Sequence, residues 1–305
     1  MIGRLAAAVA ATGVACFGYG ALVEPRAFRL RRHTVPVLPA GADPIRVLHL
    51  SDLHLYPGQD AKERFVRSLA DLRPDLVVNT GDNHAHAEVW PRVLATYGPL
   101  LDVPGVFVWG SNDYVAPRMR NPLAYFGGPS SRKKASAPPT PLPWQKLQGA
   151  FTEHGWVELT HTRATVTVKG LEFAFRGTDD AHLGRDRYET VAGPADDSAA
   201  LNVGVTHAPY LRLLDAMTRD GMDLIFAGHT HGGQVCVPGY GALVTNCDID
   251  RHRVKGLSRH TVTDGGGRTA ALHVSGGLGM SPFAPYRFAC PPEASLLTLV
   301  ARDSR

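Results

Sequence analysis

The chain has 305 residues, enough for one large α/β unit with appendages. Apolar residues make up 44% and charged residues 20%, which excludes a disordered chain, a coiled coil and a multi-span membrane protein. The net charge of +4 is too small an excess over this length to imply nucleic-acid binding, although it is compatible with anionic substrates. The 32 glycines and 23 prolines predict short elements joined by shaped loops, where binding residues tend to sit. Four cysteines without a C-x-x-C spacing, one of them (Cys16) in an apolar stretch, argue against a disulfide framework or structural zinc.

Leu5 to Val23 carries no charge over 19 residues, close to the roughly 20 that cross a hydrocarbon core. An uncleaved membrane anchor is favoured over a cleaved signal peptide. Lipoprotein processing at Cys16 lacks the large aliphatic residue it would need three positions earlier. Arg26, Arg29, Arg31 and Arg32 follow the segment, against Arg4 before it, and the positive-inside rule then favours a cytoplasmic domain. The expected organisation is an anchor or signal segment over 1–23, a basic linker over 24–43, and one domain over 44–302.

Within that domain, Ile45–Leu50, Leu76–Asn79 and Val106–Trp109 read as buried strands, each running into a polar loop. Phe65, Leu69 and Leu72, then Trp90, Val93, Leu94 and Tyr97, recur at helical spacing between them. This β-α-β-α-β order predicts a layered α/β sheet with its functional loops on one edge. Val203–Thr206 before His207 and Leu224–Ala227 before Gly228-His229 repeat the arrangement. After Trp156, segments 164–168, 172–176, 272–275 and 295–300 predict a second sheet packed on the first. Residues 116–143 hold seven prolines and the basic run Arg132-Lys133-Lys134, a long loop or partial lid.

The strand-end loops carry a metal-ligand vocabulary. Asp52 and His54 lie two apart, so on extended backbone they would leave the same side and could grip one ion. Asp82 follows Thr80-Gly81 at the next strand end, where a carboxylate could bridge two cations. Gly228-His229-Thr230-His231-Gly232-Gly233 adds two imidazoles in a glycine-rich loop. With His207 and the amide of Asn112, the set is two aspartates, one amide and four histidines. That mixture suits two divalent ions, Mn, Fe or Zn, which could clamp the oxygens of a phosphoryl transfer.

In this order, Asp52-x-His54, Gly81-Asp82, Gly110-Ser111-Asn112-Asp113, His207 and Gly228-His229-Thr230-His231 resemble the signature of the calcineurin-like metallophosphoesterases. The tail from Gly277-Leu278-Gly279 through Arg287-Phe288 to Pro291-Pro292-Glu293 is similar to the membrane-associated, YkuE-like branch. The resemblance implies a four-layer α/β/β/α sandwich of two mixed sheets flanked by helices. It implies Asp52, His54, Asp82 and His231 around a first metal, and Asp82, Asn112, His207 and His229 around a second. It also implies hydrolysis of a phosphodiester or phosphomonoester, with lipid-linked esters in view, by in-line attack of a metal-bridging hydroxide.

The third motif departs from the family's Gly-Asn-His-Asp/Glu, because Ser111 stands at the ligand position and Asn112 replaces the histidine. Asn112 is preferred as the ligand, since an amide oxygen is the better neutral donor. His84, with His86 beside it, is the candidate to replace the missing general acid, and Arg287 is a candidate phosphate contact. The competing functions are a non-catalytic metal-dependent scaffold and a nuclease; for the latter only Arg132 to Lys134 suggests a basic groove, and no nucleic-acid partner is expected.

Overall fold

The computed structural model describes residues 1–119, 138–264 and 267–302. Helix α1 (Ile2–Gly18) continues through short helical turns to Arg26, and β1 (Arg29–Leu38) follows it. Next come β2 (Ile45–Leu50), α2 (Asp60–Ser68), β3 (Leu76–Asn79), α3 (Trp90–Tyr97), β4 (Gly105–Phe107) and the single turn α4 (Ser111–Tyr114). The second part holds α5 (Trp144–Glu153), β5 (Val157–Glu158), β6 (Thr162–Val168), β7 (Leu171–Gly177), β8 (Leu201–Val205), α6 (Leu211–Arg219) and β9 (Leu224–Ala227). A small hairpin, β10 (Cys236–Val237) and β11 (Gly241–Ala242), precedes β12 (Gly256–Thr261), β13 (Thr269–Val274) and β14 (Glu293–Ala301).

Two six-stranded mixed sheets result, in the orders β1-β14-β2-β3-β4-β5 and β12-β13-β9-β8-β7-β6. Their strands are apolar on both faces because both faces are covered. In β3, Leu76 and Val78 join the core between the sheets, while Val77 faces the outer core that holds α2, α3 and α5. In β9, Leu224 and Phe226 face the inter-sheet core, whereas Ile225 and Ala227 pack toward α6. The period-two alternation thus feeds two cores at once and gives the expected α/β/β/α sandwich. Strands β2, β3 and β4 run parallel, as do β8 and β9, so their carboxyl ends deliver five loops to one rim.

The expected 24–43 linker is corrected by β1, which pairs in parallel with β14 from Arg29↔Glu293 onward and buries Val35, Val37 and Leu38 between the sheets. Its run of arginines obscured a strand whose apolar residues lie at its far end. Pro36 fits because β1 is an edge strand, where a missing N–H leaves no ladder bond unmade on the open side. Segment 295–300 is likewise a strand, but it lies in the first sheet between β1 and β2 instead of in the second. Residues 120–137, with the basic run Arg132-Lys133-Lys134, lie outside the described residues. Gly3–Arg26 is long and apolar enough to cross a membrane and is almost wholly exposed. At about 1.5 Å per residue its 24 residues would span roughly 36 Å.

Candidate metal centre

Loop 51–55 runs beside loop 81–84 because Asp52 N donates to Gly81 O, His54 N to Asp82 O and Leu55 N to Asn83 O. Asp52, His54, Asp82, His229 and His231 all have φ between 41° and 69°. This left-handed region is unfavourable for most residues and is visited by Asp and His more than by bulkier side chains. Asp52 and His54 therefore converge through loop geometry rather than through the extended backbone that their spacing suggested. Gly110 is required where it stands, since a Cβ there would lie 2.2 Å from Asp82 Oδ1 and 2.6 Å from His207 Cε1.

The side chains meet in a small buried volume. Asp82 Oδ2 lies 3.2 Å from His54 Nε2 and 3.6 Å from His207 Nε2. His231 Nε2 is 3.4 Å from Asp52 Oδ1 and 3.2 Å from His54 Nε2. Asp52, His54 and His231 form one cluster with ligand-capable atoms close enough for an ion, and Asp52, Asp82 and His207 form another. His207 Nδ1 donates to the Thr80 carbonyl at 2.6 Å, and His231 Nδ1 to the Gly279 carbonyl at 2.9 Å. Each bond orients its ring so that Nε2 is the atom that faces the site. Among the described residues His207 Nε2 has no hydrogen-bond partner though it is buried, and two imidazole nitrogens face each other across 3.2 Å. These are costly arrangements for a site of protein atoms alone, and they fit one that binds cations.

The electrostatics agree. Burial opposes charge on both His207 and Asp82, yet the carboxylates of Asp82, Asp180 and Asp52 raise His207 to about 9, while His207 and His54 hold Asp82 well below the usual carboxylate range. Burial pushes Asp52 up, with the Asp82 charge adding to it, against the pull of His207, His54 and the hydrogen bond from the Ser51 hydroxyl at 2.5 Å. His229 and His231 go the other way, held well below the usual imidazole range first by burial and then by their cationic neighbours, so they offer neutral rings as a cation requires.

A model of the calcineurin-like phosphoesterases matches residues 45–233, more than half of the chain and a range that includes all seven expected ligands. The chain belongs to that family. YpbG of Bacillus subtilis strain 168 is 28% identical over 274 residues, covering 88% of this chain and 87% of that one. The metallophosphoesterase YkuE of the same organism is 26% identical over 98% of this chain and 94% of its own length. The phosphodiesterase YaeI of Escherichia coli strain K12 is 25% identical over 93% of each. The protein is a metal-dependent phosphoester hydrolase.

In this calcineurin-like phosphoesterase, the departure at the third motif has a definite geometry. Asn112 sends both its main-chain N–H and its side-chain Nδ2 to the Asp82 carboxylate, each at 2.7 Å. It is Asn112 whose amide reaches Asp82. Asp113 turns inward and accepts from the main-chain N–H groups of Asp82, Asn83 and Gly110, tying the second and third loops together. His229 packs against His207 with ring centroids 5.2 Å apart, while its Nε2 faces Asn246 Nδ2 at 3.2 Å.

Two expectations are revised by burial. His84 is fully buried, and its Nε2 donates to the Asp113 carbonyl at 3.0 Å, so it braces the loop from beneath instead of facing solvent or a leaving group. His86 is exposed and caps the Glu88 N–H. Arg287 is also fully buried, donating to the carbonyls of Gly276, Gly279 and Cys290 at 2.7 to 3.1 Å. It supports the Gly279 carbonyl that orients His231, and it does not present its guanidinium to a substrate.

The sequence reading missed the loop after β7. Asp180 is buried and pushed up to about 7 by that burial, against the pull of His207. His182 lies against His229 with ring centroids 4.3 Å apart and the planes tilted by 44°. Asp179 accepts from the Tyr114 hydroxyl at 2.8 Å and from Arg185 at 2.7 Å, joining this loop to α4 across the two sheets. The signal was available, because Asp180-x-His182 repeats the spacing of Asp52-x-His54 just beyond a strand. For Asn246 no spacing signal exists; only the return of the β10–β11 hairpin brings it to His229.

Proposed function

We propose that the protein hydrolyses a phosphodiester or phosphomonoester, lipid-linked esters included, with two divalent cations held in adjoining sites. Asp52, His54, Asp82 and His231 would hold the first, and Asp82, Asn112, His207 and His229 the second. The observation that carries this reading is the position of Asp82, whose Oδ2 is shared between His54 at 3.2 Å and His207 at 3.6 Å. A carboxylate placed between two imidazoles from different sheets is where one residue could serve two ions. The all-N/O donor set suits Mn, Fe or Zn. When bound, a cation pair would neutralise the phosphoryl oxygens and make water a competent nucleophile near neutral pH.

The chain's own residues do the positioning. Asp52 is held by Ser51 and the His229 N–H, His231 by Gly279, His207 by Thr80 and Asp82 by Asn112. Each of these bonds is made before substrate arrives, which is the preorganisation that electrostatic catalysis requires. The test is metal content and turnover measured on one sample. Purified full-length protein should carry up to two divalent ions per chain and hydrolyse a bis-aryl phosphate with Mn²⁺, and Asp82→Asn should lose both. An Asp82→Asn protein that keeps two ions and a near-normal rate would refute the shared carboxylate. Phospholipid diesters assayed beside the aryl ester then decide the lipid link.

A further inference from the structure

We propose that the β10–β11 hairpin and the closing loop 281–290 form a bilayer-docking face that seats the metal centre at the lipid headgroup layer. The inference rests on the membrane-anchor reading of the N-terminal helix and deepens it. Among the described residues, seven large apolar residues outside that N-terminal segment are prominently exposed, and four of them come from these two segments: Val237 (43%), Tyr240 (53%), Leu243 (43%) and Phe283 (48%). Exposed apolar residues scattered singly need no explanation, whereas a group gathered in adjoining segments does.

The segments are adjoining because the chain ties them together. Cys236 N donates to Phe288 O, Phe288 N to Gln234 O, and Gln234 Nε2 to Ala284 O. They are tied equally to the end of the N-terminal helix. Phe17 stacks on Tyr286, Tyr19 meets Phe288 edge-on, and Arg287 N donates to Gly20 O at 2.9 Å. A Cβ at Gly20 would lie 2.5 Å from the Tyr286 ring, so this close approach requires glycine. The Glu24 carboxylate is buried and accepts from the main-chain N–H groups of Ala289 and Cys290 at 2.9 and 2.5 Å. Arg29 N then donates to Pro292 O and β1 begins at once.

The domain is therefore fastened to its apolar helix without a flexible linker. A rigid attachment fixes which surface meets the membrane when the helix crosses it, namely the surface beside the helix end. That surface continues the apolar side chains of Tyr19, Leu22 and Val23, which are themselves exposed. Its chemistry is interfacial, with Tyr and Phe rings as in the aromatic belts of membrane proteins and Arg251 placed 4.3 Å over the Tyr240 ring as a headgroup partner. The occupant that this combination fits is a phospholipid surface. The hairpin also leaves directly from His231–Gly233 and returns to Asn246 at His229, so docking would hold the metal loop at headgroup depth.

Full-length protein reconstituted in phosphatidylcholine–phosphatidylglycerol vesicles containing brominated phosphatidylcholine tests the proposal through tryptophan quenching. Tyr240→Trp and Phe283→Trp should add emission that the brominated lipid quenches, and Glu172→Trp, at the opposite end of β7, should add emission that it does not. Phe17→Trp reports the anchor. If the tryptophan at 17 is quenched while those at 240 and 283 match the one at 172, the docking face is wrong and the anchor stands. If none is quenched, or the protein does not stay with the vesicles, the anchor reading fails and the docking face fails with it. Each variant's circular dichroism and aryl-ester turnover should match the parent, because none of the four positions touches a proposed ligand.

Discussion

At the third motif the chain places an amide where its family commonly places an imidazole, and Asn112 spends both of its nitrogen donors on Asp82. An amide cannot give up a proton at neutral pH, so a leaving alkoxide would depart without the assistance that contributes typically ~10² to 10⁴ in rate. Hydrolysis of a series of aryl phosphodiesters should accordingly rise steeply as the leaving phenol becomes more acidic, once chemistry is shown to limit the rate. Asn112→Ala should depress every member of the series and weaken metal binding, whereas Ser111→Ala should leave both within a few-fold of the parent. A shallow dependence would reveal a proton donor, and Asp180 and His182 would then be examined before His84, whose Nε2 proton is committed to the Asp113 carbonyl. Of the residues singled out from sequence, Asp52, His54, Asp82, Asn112, His207, His229 and His231 do meet at one rim. Arg287 and His84 belong to the layer beneath them.

Among the elements, β2 and β13 carry an unusual feature between the sheets. His49 Nδ1 lies 2.8 Å from His273 Nδ1, its Nε2 is 2.9 Å from the Thr80 hydroxyl, and His33 packs edge-on against His273. Burial lowers all three, His49 to about 3. The folded protein therefore holds His49 neutral where the unfolded chain, with a side chain near 6.5, would take up a proton. Between pH 6.5 and about 3 the unfolded state binds more protons, so stability is full above that window and falls as pH falls through it. The contribution is on the order of a few kcal/mol over the whole window. His49→Gln keeps a hydrogen-bonding side chain that cannot charge. Urea unfolding from pH 7 to pH 4 should lose stability less steeply in this variant, and an unchanged slope would remove His49 as a source of acid sensitivity.

At the scale of the whole molecule, the N-terminal 43 residues contain two different things. Residues up to Val23 form the apolar helix, exposed apart from the contacts of Phe17, Tyr19 and Gly20 with the closing loop, whereas Glu24 caps that loop and β1 completes a sheet. Removing 1–23 should therefore yield a soluble domain with a melting temperature within several degrees of the parent. Removing 1–43 strips Val35, Val37 and Leu38 from the inter-sheet core, at roughly 1.5 to 3 kcal/mol for each large side chain. It also opens the edge of β14. The loss approaches the ~5 to 15 kcal/mol by which such domains are stable at all, so the shorter protein should aggregate or melt far lower. Soluble yield and thermal melts of the two truncations, run together, separate these outcomes.

The strands that end in ligand loops were legible in the residues alone, because strands covered on both faces are short apolar runs and the loops beyond them carry Asp, His and Gly. The metal-binding character of the site was legible too, since carboxylate, amide and imidazole donors are those that divalent ions take. Which side chains face that site was set by packing between distant segments. His84 and Arg287, candidates for a general acid and a phosphate contact in sequence, are buried braces in space, because depth beneath a loop leaves no mark in local spacing. The sequence reading put 24–43 in a linker and 295–300 in the second sheet, whereas β1 and β14 pair in the first, since that pairing joins residues more than 250 positions apart and a run of arginines says nothing about its partner. The linkage of the N-terminal helix to the closing loop through Glu24, Gly20 and Tyr286 had the same origin, in contacts that exist only after the two ends of the chain have been brought together.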